Sequence, residues 1–268
     1  NVIVLDPVDH MKIHGTHRER EVDLENIKSL MDDRRQVMKL VMKVQNQLAA
    51  YKLNVDTLNK KTETWLNKQM ESFKIALEAR EKVIKKVIKE YGVIDKLTAS
   101  ALGVKGVGPI IVANMITYVD LEKARHASSM WAYCGYDKPS HERYTKTVAG
   151  GGNKTLRTAL YVFAGVQIKV RGDYRYIYDR VKTRLENSDK ITKSRNTQGK
   201  LIECAWKDTK PCHRHGAAKR AMIKNFLADY WFVGRTIAGL PTQPGYAEVM
   251  LGKDGHKTIA PTDRGWEY

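Results

Sequence analysis

The chain has 268 residues, with 47 Lys and Arg set against 30 Asp and Glu, a formal net charge of +17 at neutral pH. That length carries one or two globular units with cores of their own, and the charge argues for a polyanionic partner. No apolar run approaches the roughly 18 residues of a membrane span, no signal-peptide pattern opens the chain, and Cys134, Cys204 and Cys212 make no disulfide framework, so a membrane or secreted reading lacks support and a reducing compartment is expected.

Residues 1–20 read as a remnant or irregular leader. The first residue is Asn rather than Met, which suggests a fragment or a processed product. From 21 to 92 there is no Pro, and no Gly before Gly92, while apolar residues recur at helical spacing. Leu24, Met31, Met38 and Gln45 fall seven apart, interleaved with Ile27, Arg34, Val41 and Leu48, a heptad with two polar intrusions. The pattern lapses around Asn54-Val55-Asp56-Thr57 and resumes through Trp65, Phe73, Ala76, Leu77, Val83, Ile84, Val87 and Tyr91. Two long helices follow, the second capped by Asp56 or Thr57, with one uninterrupted helix as the alternative. So long a seam needs cover, either from its own second arm or from another protomer, and a homo-oligomer built through a coiled-coil arm is expected.

Residues 93–187 read as a compact helical domain. Its most informative stretch is Leu102-Gly103-Val104-Lys105-Gly106-Val107-Gly108-Pro109, followed by the apolar helix Ile110–Val119. A Gly-apolar-Gly turn lets backbone approach a ligand closely, and the helix start beyond it offers free N–H groups at a positive dipole end. Pro109 sits where the first turn tolerates a missing N–H. Val107 should pack inward while Gly106, Gly108 and Ile110 turn their N–H groups to a phosphate, with Lys105 beside them. The alternative is an ordinary helical corner that needs glycine for packing. Further on, Trp131 and Tyr133 lead to a turn at Gly135, Thr147–Asn153 is a Gly-rich loop, and Lys154–Val170 reads as a helix. Tyr174 and Tyr178 have the spacing of residues that pack against a partner helix, although their alternation with Arg175 and Arg180 would also suit base stacking.

Residues 188–212 are polar and basic without clear periodicity and read as a linker or exposed loop. Within 213–268, Ala217–Ala238 is amphipathic, with Met222, Phe226, Leu227, Tyr230 and Trp231 on one face. Gly239 and Pro241 stop it, and the residues after Pro241 read as irregular. Cys204, Cys212, His213 and His215 raise the question of zinc. Cys-x7-Cys-His-x-His is not a standard ligand spacing, and an adjacent Cys-His pair does not readily face one tetrahedral ion, so a basic helix N-terminus is the preferred reading.

The glycine turn resembles the helix-hairpin-helix motif of sequence-independent DNA-binding proteins, with Lys105 where many members carry Pro. The wider chain resembles the transposases and site-specific invertases of the insertion-sequence 110/116/902 class. Three blocks carry that likeness. One runs from Ile27 through Arg34-Arg35 to Gln45-Asn46-Gln47-Leu48. A second comprises residues 102–109, Ser129–Tyr136 and Gly152-Asn153-Lys154-Thr155-Leu156-Arg157. The third runs from His213-Arg214-His215 through Lys219, Lys224, Phe226-Leu227 and Trp231 to Gly239-Leu240-Pro241. The expectation is a mainly α protein: a long antiparallel coiled-coil arm, a compact helix-hairpin-helix domain and a basic C-terminal extension.

The resemblance further implies a DNA transposase or recombinase, cytoplasmic and nucleoid-associated in a prokaryote or phage-infected cell, with DNA and a guide RNA as partners. Members carry an N-terminal RNase-H-like domain whose acidic residues bind divalent metal; most of it is expected to be missing here, and Asp6 and Asp9 are either its last acidic pair, which would hold Mg2+, or two incidental carboxylates of a loop. Members also use a serine nucleophile between the Tyr-x-Gly turn and the Gly-Asn helix. In that interval this sequence offers Ser140, followed by His141 where Gly is usual. As the nucleophile Ser140 would attack a DNA phosphodiester while Arg143, Lys146 and Arg157 neutralise the phosphoryl oxygens; the alternative is a loop hydroxyl after Pro139. In a catalytic or a purely binding protein alike, Arg143, Lys146, Asn153, Lys154 and Arg157 would meet phosphate.

Overall fold

The computed structural model describes residues 7–53, 60–137, 152–195, 198–243 and 260–268, with side chains from Asp23 onward except Lys52. The protein is mainly helical and divides into two units, one ending at Ile94 and one beginning at Asp95.

In the first unit two helices, α1 (Pro7–Leu53) and α2 (Lys60–Ile94), lie antiparallel. The direction is fixed because residues farther along α1 meet residues nearer the start of α2. Arg34 meets Glu81 at 2.6 Å, Asp33 meets Arg80 at 2.7 Å, and farther along α1 Val44 packs with Leu66 and Met70 of α2. In the same register Ile27 and Met31 fall level with Ile88 and Ile84, all four buried. The two-helix reading therefore holds, while the proposed caps Asp56 and Thr57 lie outside the described residues.

Two sequence expectations change here. Residues 7–20 are not an irregular leader but the first turns of α1. The buried seam also departs from the strict heptad: Val37 and Val44 are buried where Met38 and Gln45 were expected, and Gln45 is exposed. The face slips by one residue between Arg34 and Val37, a three-residue step of the kind that overwinds paired helices. It puts a valine rather than an unpartnered amide against α2. On α2 the expected core residues Trp65 and Val83 are instead exposed, and Leu66, Met70 and Ile88 are inside. Because α2 covers the seam, the seam by itself does not call for a second protomer.

The second unit comprises α3 (Lys96–Gly103), α4 (Pro109–Tyr118), α5 (Ala127–Tyr133), α6 (Lys154–Val170), α7 (Arg175–Glu186), strands β1 (Ile191–Arg195) and β2 (Leu201–Ala205), and α8 (Pro211–Ile237). Its centre is α8, which packs against α3, α5, α6 and α7. Phe163, Tyr174, Phe226, Tyr230 and Trp266 form one buried aromatic cluster, with the Phe163 and Phe226 ring centroids 4.3 Å apart. Tyr174 and Tyr178 are core residues, as their helical spacing suggested, whereas Tyr176 between them is exposed.

The expected linker at 188–212 is instead an antiparallel hairpin with Ile191 opposite Ala205 and Arg195 opposite Leu201. Backbone hydrogen bonds from Trp206 to Lys190 and from Lys207 to Ser188 close its base. The alternation is inverted relative to the usual signal, since Ser194 is buried and Ile191 exposed. The C-terminal residues 260–268 are likewise no loose extension. A short 3-10 turn at Pro261–Arg264 brings Trp266 into the aromatic core, where only 1 % of it is exposed.

Candidate nucleic-acid interface

The glycine turn joins α3 to α4 as a tight hairpin. Asp95 caps α3 by accepting the Thr98 N–H at 2.7 Å, the Val107 N–H returns to the Val104 carbonyl, and α4 starts with Gly108 as its cap and Pro109 in its first turn. Gly106 has φ +86°, a conformation that favours glycine, and a Cβ there would lie 2.6 Å from the Gln167 amide nitrogen. Gly108 differs. Its backbone is extended at φ −99°, and a Cβ would meet nothing within 4 Å. Val107 is buried and Lys105 exposed. Among the described residues the N–H groups of Gly106, Gly108 and Ile110 make no hydrogen bond. The hairpin thus presents three donors at the positive end of α4.

The peptide of Lys105 is held from both sides. Its N–H donates to Asp173 at 2.7 Å, and its carbonyl accepts from Gln167 at 2.8 Å. Gln167 is fully buried, and its own oxygen accepts the Tyr174 N–H. One amide side chain therefore ties the hairpin to the turn between α6 and α7. The sequence reading missed Gln167 and Asp173. Nothing in their local pattern marks them, because each acts on a residue more than sixty positions away.

At the other end of α6, Asn153 caps the helix by accepting the Leu156 N–H at 3.0 Å and donates to the Tyr133 hydroxyl at 3.1 Å. Gly152, at φ +64°, lies so close to the Tyr133 carbonyl and the Gly135 nitrogen that a side chain would collide with backbone. Arg157 lies against Gly135, and Tyr136 donates its hydroxyl to the Arg157 carbonyl. The two turns that carried the sequence motif, Tyr133–Tyr136 and Gly152-Asn153, thus meet. Lys154 is exposed on the first turn of α6.

The structure does not bring this group together with the hairpin. Gln167, beneath Gly106, lies fourteen residues along α6 from Asn153, roughly 20 Å at the α-helical rise. The candidate surface therefore has two separate grips, one at each end of α6. Asp6, Ser140, Arg143 and Lys146 lie outside the described residues, and of Asp9 the backbone alone is described, within α1.

The Cys and His residues considered for zinc are dispersed among other partners. The His213 ring packs on Trp206 at 5.1 Å, and His215 Nδ1 lies 2.7 Å from the Tyr178 hydroxyl. Among the described residues no three His, Cys, Asp or Glu side chains gather as metal ligands, and no helix is long and apolar enough to cross a membrane.

No protein-family model matches this chain, and neither does any curated protein.

Proposed function

We propose that this protein is a DNA-binding protein of the transposase and recombinase kind, which holds phosphate backbone at the Gly106–Ile110 hairpin and at the Asn153–Arg157 helix start. One observation carries the reading: Gly108 stands beside free helix-start donors although neither its backbone angles nor its neighbours require a glycine. Ser, Thr, Asp or Asn would cap α4 at least as well, and the bare Cα leaves the donors open to close approach by a ligand. The net charge of +17 supports a polyanion as that ligand. Two grips roughly 20 Å apart fall within one turn of a duplex, whose repeat is about 34 Å.

Replacing Gly108 with Val tests this directly. The new side chain enters open space, so the fold should persist while DNA of every sequence binds more weakly, with a shallower dependence of affinity on salt. Unchanged affinity in the folded variant would remove the hairpin from the interface.

By the resemblance, Ser140 supplies the covalent step in an intact enzyme, and a guide RNA joins DNA as partner. The rival reading is a binding protein without strand chemistry, acting as an assembly component. It is favoured by the character of the two described grips, which offer backbone N–H donors and cations for phosphate contact. A nicked suicide DNA incubated with Mg2+ separates the two: a covalent adduct lost in Ser140→Ala marks the enzyme, and no adduct marks the binder.

A further inference from the structure

The outward stripe of α6 joins the two grips, and its chemistry is more specific than that of a solvated helix face. Lys154, Thr158, Tyr161, Gly165 and Lys169 follow one another at helical spacing, each exposed or half-exposed. There is no Asp or Glu anywhere in α6. Tyr161, in the middle, is 55 % exposed, with Val162 beside it 53 % exposed. Two adjacent large side chains left exposed in the middle of this face make an apolar patch between the lysines.

Beneath that ring lies Lys219 of α8. Its ammonium is 4.1 Å from the Tyr161 ring centroid, and the residue is 7 % exposed. A lysine so buried ordinarily meets a carboxylate. Among the described residues the Lys219 ammonium makes no hydrogen bond and no ion pair; it lies against the Tyr161 ring, and its charge also acts on His215 of the same helix. A cation under one face of an aromatic ring draws the ring's electrons toward itself and fixes its orientation. The outer part of the ring is thereby set as a stacking surface, with an uncompensated positive charge behind it. Gly165, one turn on, repeats the logic of Gly108: a Cβ there would meet nothing within 4 Å, so packing does not call for glycine in this helix interior.

We infer that this stripe is the bed of a single-stranded nucleic-acid segment, one base of which stacks on Tyr161 while Lys154 and Lys169 meet its backbone. The inference rests on the reading of the hairpin as a phosphate grip, because the stripe runs from that hairpin to the Asn153 end of the helix. A single strand is chosen over a duplex because the exposed ring needs an unstacked base, and duplex bases are already covered by their neighbours. The absence of carboxylates from α6 matches a polyanion and disfavours a basic or neutral protein segment.

The test uses the whole chain with fluorescein-labelled DNA of about 20 nucleotides, longer than the usual site of one such platform, offered as single strand and as duplex. Tyr161→Ala should weaken single-strand binding about tenfold, the scale of one lost stacking contact, and leave duplex binding nearly unchanged. Tyr161→Phe, which keeps the ring, should restore single-strand binding. Equal loss for both forms of DNA, no loss for either, or failure of the wild-type chain to bind single strands would overturn the inference. So would Tyr161-dependent binding to vesicles of anionic lipid that matches single-strand binding. Gly108→Val in the same assay separates this idea from the one beneath it. If Gly108→Val is silent while Tyr161→Ala weakens single strands, the stripe stands and the hairpin grip falls; the reverse pattern removes the stripe and keeps the grip.

Discussion

Asp229 of α8 and Arg264 of the C-terminal turn form a two-pronged ion pair, with both contacts at 2.5 Å and side chains only 7 % and 6 % exposed. The Tyr174 hydroxyl donates to the same carboxylate at 2.5 Å, and Trp266 donates its ring N–H to the Tyr174 oxygen at 2.7 Å. This network fastens residues 260–268 over α8 and beside the hairpin, where Gly265 approaches Val104 and Asp173. Asp173 in turn holds the Lys105 peptide. Breaking one partner leaves the other charge buried without compensation, so Arg264→Met should cost about 3–5 kcal/mol, and Asp229→Asn a comparable amount. Replacing both with apolar residues should recover much of the loss. Urea unfolding of the two single variants and the double variant checks this; additive losses would show that the two residues act separately.

Gly106 and Gly108 should part company in stability as they do in geometry. Gly106→Ala forces a left-handed backbone onto an L residue and pushes a methyl against the Gln167 amide, so about 1–2 kcal/mol should be lost. Gly108→Ser adds a capping hydroxyl at an extended position with room around it, so stability should hold or rise by a few tenths of a kcal/mol. Thermal melting of the two proteins distinguishes them, and equal losses would mean that Gly108 is also required by the fold.

Much of this architecture was legible in the sequence because its signals are local. The apolar recurrence from Leu24 to Tyr91 announced the helical pair, and Gly106-Val107-Gly108-Pro109 announced the hairpin. Lys154–Val170 emerged as a helix with the expected ends. What stayed hidden depends on distant partners. Ser194 faces inward and Ile191 outward, so the strands lacked the alternation that marks a half-buried sheet. Trp266 and Arg264 looked like tail residues because their partners, Tyr174 and Asp229, lie far upstream. For the same reason nothing in the sequence placed Lys219 under Tyr161, where the fold puts it.

The one-residue slip of the α1 seam makes its own prediction. Val44 is 3 % exposed and packs with Leu66 and Met70, whereas Gln45 is exposed. Val44→Asp should therefore disrupt the helical pair, burying a charge against apolar side chains, while Gln45→Asp should change stability by no more than about 0.5 kcal/mol. Circular dichroism during thermal unfolding measures both. Similar behaviour of the two variants would restore the strict heptad.

The three cysteines should react in an order set by burial. Cys134 is fully buried, and burial pushes its thiol up to about 12, against a smaller opposing effect of Arg157. Its reactive thiolate is therefore scarce near neutral pH. Cys212 is exposed and Cys204 half-buried. Iodoacetamide on the native protein should modify Cys212 first, then Cys204, and spare Cys134 until the chain unfolds. Peptide mass mapping of a time course gives the order, and early labelling of Cys134 would contradict its place in the core.

His215 links stability to pH. Burial, followed by the charges of Lys219 on α8 and Lys182 on α7, holds its pKa below the ordinary histidine value, and its Nδ1 faces the Tyr178 hydroxyl. The folded chain therefore resists a proton that the unfolded chain accepts at about pH 6.5. Between that value and the lower folded pKa, the unfolded state binds more protons, so this residue's effect is a loss of stability as pH falls through the interval. Above about pH 6.5 both states are neutral at His215 and its contribution is flat. Melting temperatures at about pH 7.5 and about pH 5.5, on either side of the ordinary value, should thus differ more in the wild-type chain than in His215→Gln, which cannot take up the proton. Because other histidines titrate in the same range, the difference between the two proteins is the quantity to read. If both proteins lost the same stability on acidification, the packing of His215 against Tyr178 would not govern its protonation, and the positive charge of Lys219 would have to be screened from it.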